Sequence, residues 1–201
     1  MPGRLAPSTM RILGGHRADG EGFSIGIERG MQGAPTVDSP YLDATGLTVV
    51  PGFIDIQVNG GFGHDFTEDA RSIWEVGTRL VEHGVTSFCP TIITSAHDRV
   101  VAAQRAIEDR PSEYAGAEPI GLHIEGPHLA PAKRGVHPAA LLVEPVDSVL
   151  TTDHVTIVTL APELDGAVDL IESLTRSGVV VSIGHSMATA AHARAALDAG
   201  A

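Results

Sequence analysis

PIGLHIEG, residues 119–126, is a short apolar run that ends on a histidine, a glutamate and a Gly-Pro stop. Alternation along an extended chain puts His123 and Glu125 on one face and Ile124 on the other. A run this short and apolar reads as a strand buried on both faces, as in a parallel sheet. Four more runs of the same kind accompany it: VVPGFIDIQV (49–58), GVTSFCPTII (84–93), VTIVTLAP (155–162) and VVVSIGHS (179–186). Their ends fall at Gln57, Thr91, Glu125, Ala161 and His185, at intervals of 34, 34, 36 and 24 residues. Such spacing is close to the size of one β-α unit.

The segments between the runs carry helix punctuation. Thr67, Glu68 and Asp69 predict a cap and an acidic first turn, with Ile73, Val76 and Leu80 on one face and Gly84 as the stop. Ser95 opens a second predicted helix, closed before Pro111. Pro162 and Glu163 start a third that ends at Gly178. Ser186 caps a fourth that runs to Gly200. Alternating strands and helices define an α/β fold, either a (β/α)₈ barrel or a doubly wound sheet. Residues 1–50 differ: short apolar pieces at Met10–Leu13, Phe23–Ile27 and Leu47–Val50 are broken by Gly, Pro and Asp, which predicts a small β domain. The expected organisation is therefore 1–50 and 51–201. A barrel takes roughly 250 residues for eight units, and five are readable here, so the expectation is a partial barrel cut on its C-terminal side. Such a chain, alone, is expected to aggregate or fold only in part.

Composition narrows the partners. Thirteen Lys and Arg against 25 Asp and Glu give a formal charge of −12. That excess opposes nucleic acid and anionic membrane surfaces, which are bound through cations. With 43% hydrophobic residues the chain has ample material for a core. Cys89 is the single cysteine, so no internal disulfide can form. Neither a secretory leader nor a run of ~20 apolar residues is readable, and a cytoplasmic location is expected.

Four motifs could carry chemistry. In Asp55-Ile56-Gln57-Val58-Asn59-Gly60-Gly61, alternation aligns Asp55, Gln57 and Asn59, either as a ligand-facing row or as amides that satisfy loop backbone. In His123-Ile124-Glu125, a carboxylate ends an apolar strand, which is costly unless it is paired or on a metal. Pairing with Lys133 or Arg134 and metal ligation are equally open. Lys133-Arg134-Gly135-Val136-His137-Pro138 is the densest cationic spot, either an anion site or an ordinary solvated loop. In Ser182-Ile183-Gly184-His185-Ser186, an imidazole, a common metal ligand, ends a strand. A lone histidine is more often structural, but this one shares its strand-end position with Glu125. Cys89 reads as a small buried hydrophobe.

PGFIDIQVNGG (51–61), GVTSFCPTIITS (84–95), GLHIEGPHL with KRGVHP (121–138) and VVVSIGHSMAT (179–189) together resemble the N-acetylglucosamine-6-phosphate deacetylase family of the amidohydrolase superfamily. The resemblance implies a TIM-like barrel beside a small β-sandwich. It implies hydrolysis of the N-acetyl group of N-acetylglucosamine 6-phosphate to glucosamine 6-phosphate and acetate. Carried over by motif, Glu125 and His185 are metal ligands and His137 contacts the substrate. Gln57 and Asn59 stand where many amidohydrolases have a His-x-His metal pair. Amides are poor zinc ligands, and family members with this variant hold one metal, so a single divalent ion is expected, zinc first. Gln57 and Asn59 then fall to substrate binding. The family's acid–base Asp and a further His ligand are expected beyond Ala201. The expected partner is a phosphorylated amino sugar, with no nucleic acid and no membrane, and a homodimer is conceivable for the full-length protein. Two other readings stay open: an amidohydrolase of another amide or cyclic imide, and a non-catalytic sugar-phosphate-binding fragment.

Overall fold

The computed structural model describes residues 9–28, 31–32, 38–147 and 151–201. It divides into two compact units, Met1–Gly52 and Phe53–Ala201.

The first unit holds one four-stranded sheet: β1 (Thr9–His16), β2 (Gly22–Glu28), β3 (Met31–Gln32) and β4 (Tyr41–Asp43), in the order β3-β2-β1-β4. β1 and β2 form an antiparallel hairpin whose register slips between Ile12 and Gly15. Gly14 sits at that slip with φ +73°, where a side chain is disfavoured. The expected third strand at Leu47–Val50 is not formed. Only an isolated bridge joins Thr48 to His16, and the strand parallel to β1 is β4. Leu47-Thr48-Val49-Val50 is β-prone by composition, but it meets β1 only at its last residue: His16 N–H donates to Leu47 O at 3.0 Å and Val49 N–H to His16 O at 2.7 Å, and β1 goes no further to extend the ladder.

The second unit is a partial TIM-like barrel. Five parallel strands, β5 (Phe53–Val58), β8 (Val85–Ile93), β10 (Leu122–Glu125), β11 (Val155–Leu160) and β12 (Val180–Ile183), stand side by side in sequence order. Small strands β6 (Gly60–Gly61) and β7 (His64–Asp65) pair with each other, and β9 (Glu118–Pro119) pairs with β8. The order never reverses, so the sheet is singly wound; a doubly wound sheet would show a switch point. The expected strand ends agree with the observed ones to within two residues. Central strands are buried as their apolar runs require: every residue of β10 is buried, and most of β8 and β11. β5 and β12 are edges, and Phe53, Ile54, Ile56 and Val180 are each more than half exposed.

Helices α1 (Ile73–Leu80), α2 (His97–Glu108), α3 (Ala167–Arg176) and α4 (Ala190–Asp198) connect or follow the strands. Their inward faces (Ile73 and Val76, Ala103 and Ala106, Ile171 and Leu174, Ala196) join Phe66, Phe88 and Ile92 in one core. The expected helices exist, but they start later than their punctuation. Asp69, not Thr67, caps the first turn, accepting from Arg71 N. α2 starts after Ala96 with no side-chain cap, α3 after Gly166, and α4 after Thr189. Thr189 and His192 form a reciprocal capping box, so Ser186 caps nothing. Ser186 Oγ accepts instead from Ala188 N at 2.7 Å, a local turn that precedes the helix.

Trp74, the sole tryptophan, ties α1 to α2: its Nε1–H donates to Ala106 O at 2.6 Å. Trp74→Phe leaves that buried carbonyl without its donor, and we expect a loss of about 1–3 kcal/mol. Urea unfolding followed by circular dichroism measures it; an unchanged midpoint would contradict the bond's contribution.

Candidate active site

Glu125 ends β10, and the chain turns at Gly126. A Cβ at Gly126 would lie 2.2 Å from Thr94 Oγ1, and its φ is +82°, so the position requires glycine twice over. The empty space lets Thr94 approach both Glu125 O (3.3 Å) and His137 Nδ1 (2.8 Å). Beyond β12, Gly184 and His185 turn the chain again; His185 adopts a left-handed φ of +50°. The 131–137 loop closes over the same place. Glu125, His137 and His185 thereby meet: one ligand atom from each lies within 4.8 Å of the others. Glu125 and His137 are buried, and His185 is part-exposed. His137 and His185 pack edge to face at 4.7 Å between ring centres.

Hydrogen bonds fix what each ring can do. His185 Nδ1 lies 2.8 Å from Lys133 O, and a carbonyl only accepts, so Nδ1 carries the proton. Its Nε2 faces Glu125 Oε1 at 2.8 Å, the distance of a hydrogen bond when Nε2 carries a proton as well. An imidazole nitrogen and a carboxylate oxygen are a fitting donor pair for a divalent ion such as zinc. His137 is opposite in sense. The Thr94 backbone N–H points at its Nδ1 at 3.3 Å, and an amide only donates, so Nδ1 accepts and Nε2 carries the proton. That Nε2–H lies 3.9 Å from Glu125 Oε2, close enough to share a ligand but too far to bond. Burial pushes the His137 imidazole below its ordinary range, Glu125 pulls it back, and His185 pushes it down further.

His123 shares the inward face with Glu125 but belongs to the frame. Its Nδ1–H donates to Ile56 O of β5 at 3.1 Å, and its Nε2 accepts from Thr159 Oγ1 of β11 at 2.7 Å. Burial lowers its pKa, partly opposed by the Ile56 carbonyl and Glu125. Gln57 and Asn59 lie exposed at the end of β5, outside the three-residue cluster. The cationic loop is put to local use: Arg134 Nη1 donates to His137 O at 2.9 Å, and Lys133 contributes its carbonyl. Neither cation pairs with Glu125 among the described residues. Sequence reading missed Thr94 and Thr159, whose β-branched side chains look like strand filler. The signal available was their position at the same strand ends as the motifs.

Acidic and imidazole side chains gathered at the strand ends of a barrel are where active sites of this architecture are built, and the comparisons give the family. The amidohydrolase family model matches residues 48–199, and the chain belongs to that family. N-acetylglucosamine-6-phosphate deacetylase of Rattus norvegicus is 44% identical over 171 residues, covering 79% of this chain and 42% of the relative. The Homo sapiens enzyme of that name is 43% identical over 209 residues, covering 98% of this chain and 49% of the relative. The crystal structure of the enzyme of that name from Pasteurella multocida superposes with a TM-score of 0.81 at 26% identity, covering 96% of this chain and 55% of that one. The chain thus spans about half the length of the curated relatives it matches.

Near the site, His128 is fully buried; its Nδ1–H donates to Val143 O at 2.8 Å, and its Nε2 has no partner. Burial drives its pKa down, against the Val143 carbonyl and Glu144. A folded pKa below the unfolded value of about 6.5 means that the fold resists protonation. Its share of stability is therefore present above that pH and lost as pH falls below it. His128→Asn keeps a donor for Val143 and removes the titration. We expect stability to fall less steeply below pH ~6.5 in the variant, by up to one proton in slope, in denaturant midpoints measured against pH.

Proposed function

We propose that the protein is an amidohydrolase that removes the acetyl group of N-acetylglucosamine 6-phosphate, yielding glucosamine 6-phosphate and acetate. The observation that carries this reading is the convergence of Glu125, His137 and His185, whose ligand atoms lie within 4.8 Å of one another at the strand ends of an amidohydrolase barrel. In this reading Glu125 and His185 hold one divalent ion, zinc first. When bound, such an ion supplies Lewis acidity toward a carbonyl oxygen and raises the acidity of water. His137, protonated on Nε2, cannot offer that atom to a metal without giving up its Thr94 amide bond; it donates instead to a substrate oxygen. Gln57 and Asn59 supply further polar contacts to the sugar. Residues 1–50 are the N-terminal part of a small β domain and residues 51–201 part of the barrel domain. None of the described helices is long and apolar enough to cross a membrane. We place the enzyme in the cytoplasm, with a homodimer as the assembly to test.

The experiment is turnover by the intact, zinc-loaded protein, read as acetate release from the acetamido sugars and as ring opening of the imide. N-acetylglucosamine 6-phosphate is compared with N-acetylglucosamine, the C4-epimeric sugar phosphate and a dihydropyrimidine-type imide. Turnover of the first in clear preference supports the proposal. Turnover of the imide alone transfers it to another amidohydrolase activity, and zinc-independent binding without turnover to a sugar-phosphate-binding protein. Glu125→Gln and His185→Asn should each lower kcat/KM by on the order of 10³, the loss of several kcal/mol of charge stabilisation. His137→Gln should cost about 10², the scale of one positioned donor.

A further inference from the structure

We propose that Glu163 is the positioning residue of the metal site, acting through His185. The proposal rests on His185 being a metal ligand, as argued above.

His185 has two needs that its own backbone does not meet. Its ring must keep Nε2 aimed at Glu125, and its backbone must stay at φ +50°, a conformation that a β-branched or bulky residue rarely holds. Two of the restraints come from the 130–133 segment: Ala130 N–H donates to His185 O at 3.0 Å, and Lys133 O receives Nδ1–H. The third comes from Glu163, three residues past the end of β11. One carboxylate oxygen, Oε2, accepts from Ser186 Oγ at 2.7 Å; the other, Oε1, accepts from Met187 N at 2.5 Å. Ser186 Oγ in turn accepts from Ala188 N at 2.7 Å. Both lone-pair faces of one carboxylate are thus spent on the two residues that follow His185. The fork spans two strand-end loops and leaves the turn no freedom to swing the imidazole away. Burial opposes the charge on Glu163, yet the Ser186 hydroxyl and the Met187 and Glu163 amides hold its carboxyl below the ordinary range. Glu163 stands 23 residues from Ser186 in the chain, and no helix or strand ladder requires the contact. Its side chain does not belong to the Glu125–His137–His185 cluster.

The test is zinc affinity of the intact protein, measured by competition with a chromophoric chelator, in a double-mutant cycle of Glu163→Ala and His185→Asn. Outer-shell partners of metal ligands typically contribute 10–100-fold in affinity, and we expect Glu163→Ala to weaken zinc by about that factor. In the His185→Asn background the same change should add nothing, because the ligand it aims is gone. Glu163→Gln, which keeps an acceptor for Met187 N–H, should recover part of the loss. Wild-type affinity in Glu163→Ala, or an equal loss in both backgrounds, overturns the positioning role. Wild-type affinity in His185→Asn overturns the metal reading itself, a distinguishable result. Should Glu163→Ala not fold, as read by circular dichroism of the metal-free protein, Ser186→Ala carries the test. It removes one bond of the fork and should weaken zinc several-fold; unchanged affinity there counts against the proposal.

Discussion

His185 Nε2 and Glu125 Oε1 face each other across 2.8 Å, and much of the second unit serves to hold them there. Their strands are not neighbours: β11 lies between β10 and β12. At roughly 4.8 Å per strand spacing, the two backbones are separated by about 10 Å. A Glu side chain reaching out and an imidazole folded back by a left-handed turn close that gap. With a proton on Nε2 the contact is a charge-assisted hydrogen bond. Without it, an imidazole nitrogen and a carboxylate oxygen stand together as donors to a cation, which is the role proposed for them above.

Three histidines line this region, and the residue type alone does not separate their work. What separates them is the partner of Nδ1. His123 gives its Nδ1 proton to Ile56 O and accepts from Thr159, so both nitrogens are spent on the frame. His137 accepts from the Thr94 amide at Nδ1, which leaves a donor at Nε2. His185 donates from Nδ1 to Lys133 O, which turns Nε2 toward Glu125. Backbone groups orient each ring, and on the proposed reading the first is structural, the second a donor to substrate and the third a metal ligand. Mutating the backbone partner's own side chain, Lys133 for example, would not alter the tautomer, because the carbonyl remains.

The same distinction explains how much was legible in the sequence. The five strands were legible as apolar runs, because a strand buried on both faces leaves a strong local signature; their order was not, since the same pattern also fits a doubly wound sheet. The meeting of Glu125 with His185 was legible because a charged or titratable group closing such a run is costly and therefore informative. Helix starts were read poorly: Thr67, Ser95 and Ser186 are all good caps locally, but the cap that forms depends on which acceptor is nearer in space. Ser186 is the clearest case: its oxygen accepts from Ala188 N in a turn ahead of the helix, and Thr189 caps α4. Thr94 was invisible for a related reason. Its role depends on the missing side chain of Gly126, a contact that no window along the chain contains.

The Lys133–Arg134 pair shows where charge counting misleads. In a chain of net charge −12, two adjacent cations invite assignment to an anionic ligand. Arg134 instead directs its guanidinium at carbonyls of its own loop, and through His137 O it braces the donor histidine. The long-range field of so acidic a protein repels a sugar phosphate, but beyond about 8 Å salt screens that repulsion at physiological ionic strength. Recognition of an anion is therefore decided inside that radius. On the proposed reading, the groups that act there are a cation held by Glu125 and His185 and the Nε2–H of His137. Net charge therefore does not decide whether such an anion is admitted; on this reading the groups in contact with it do.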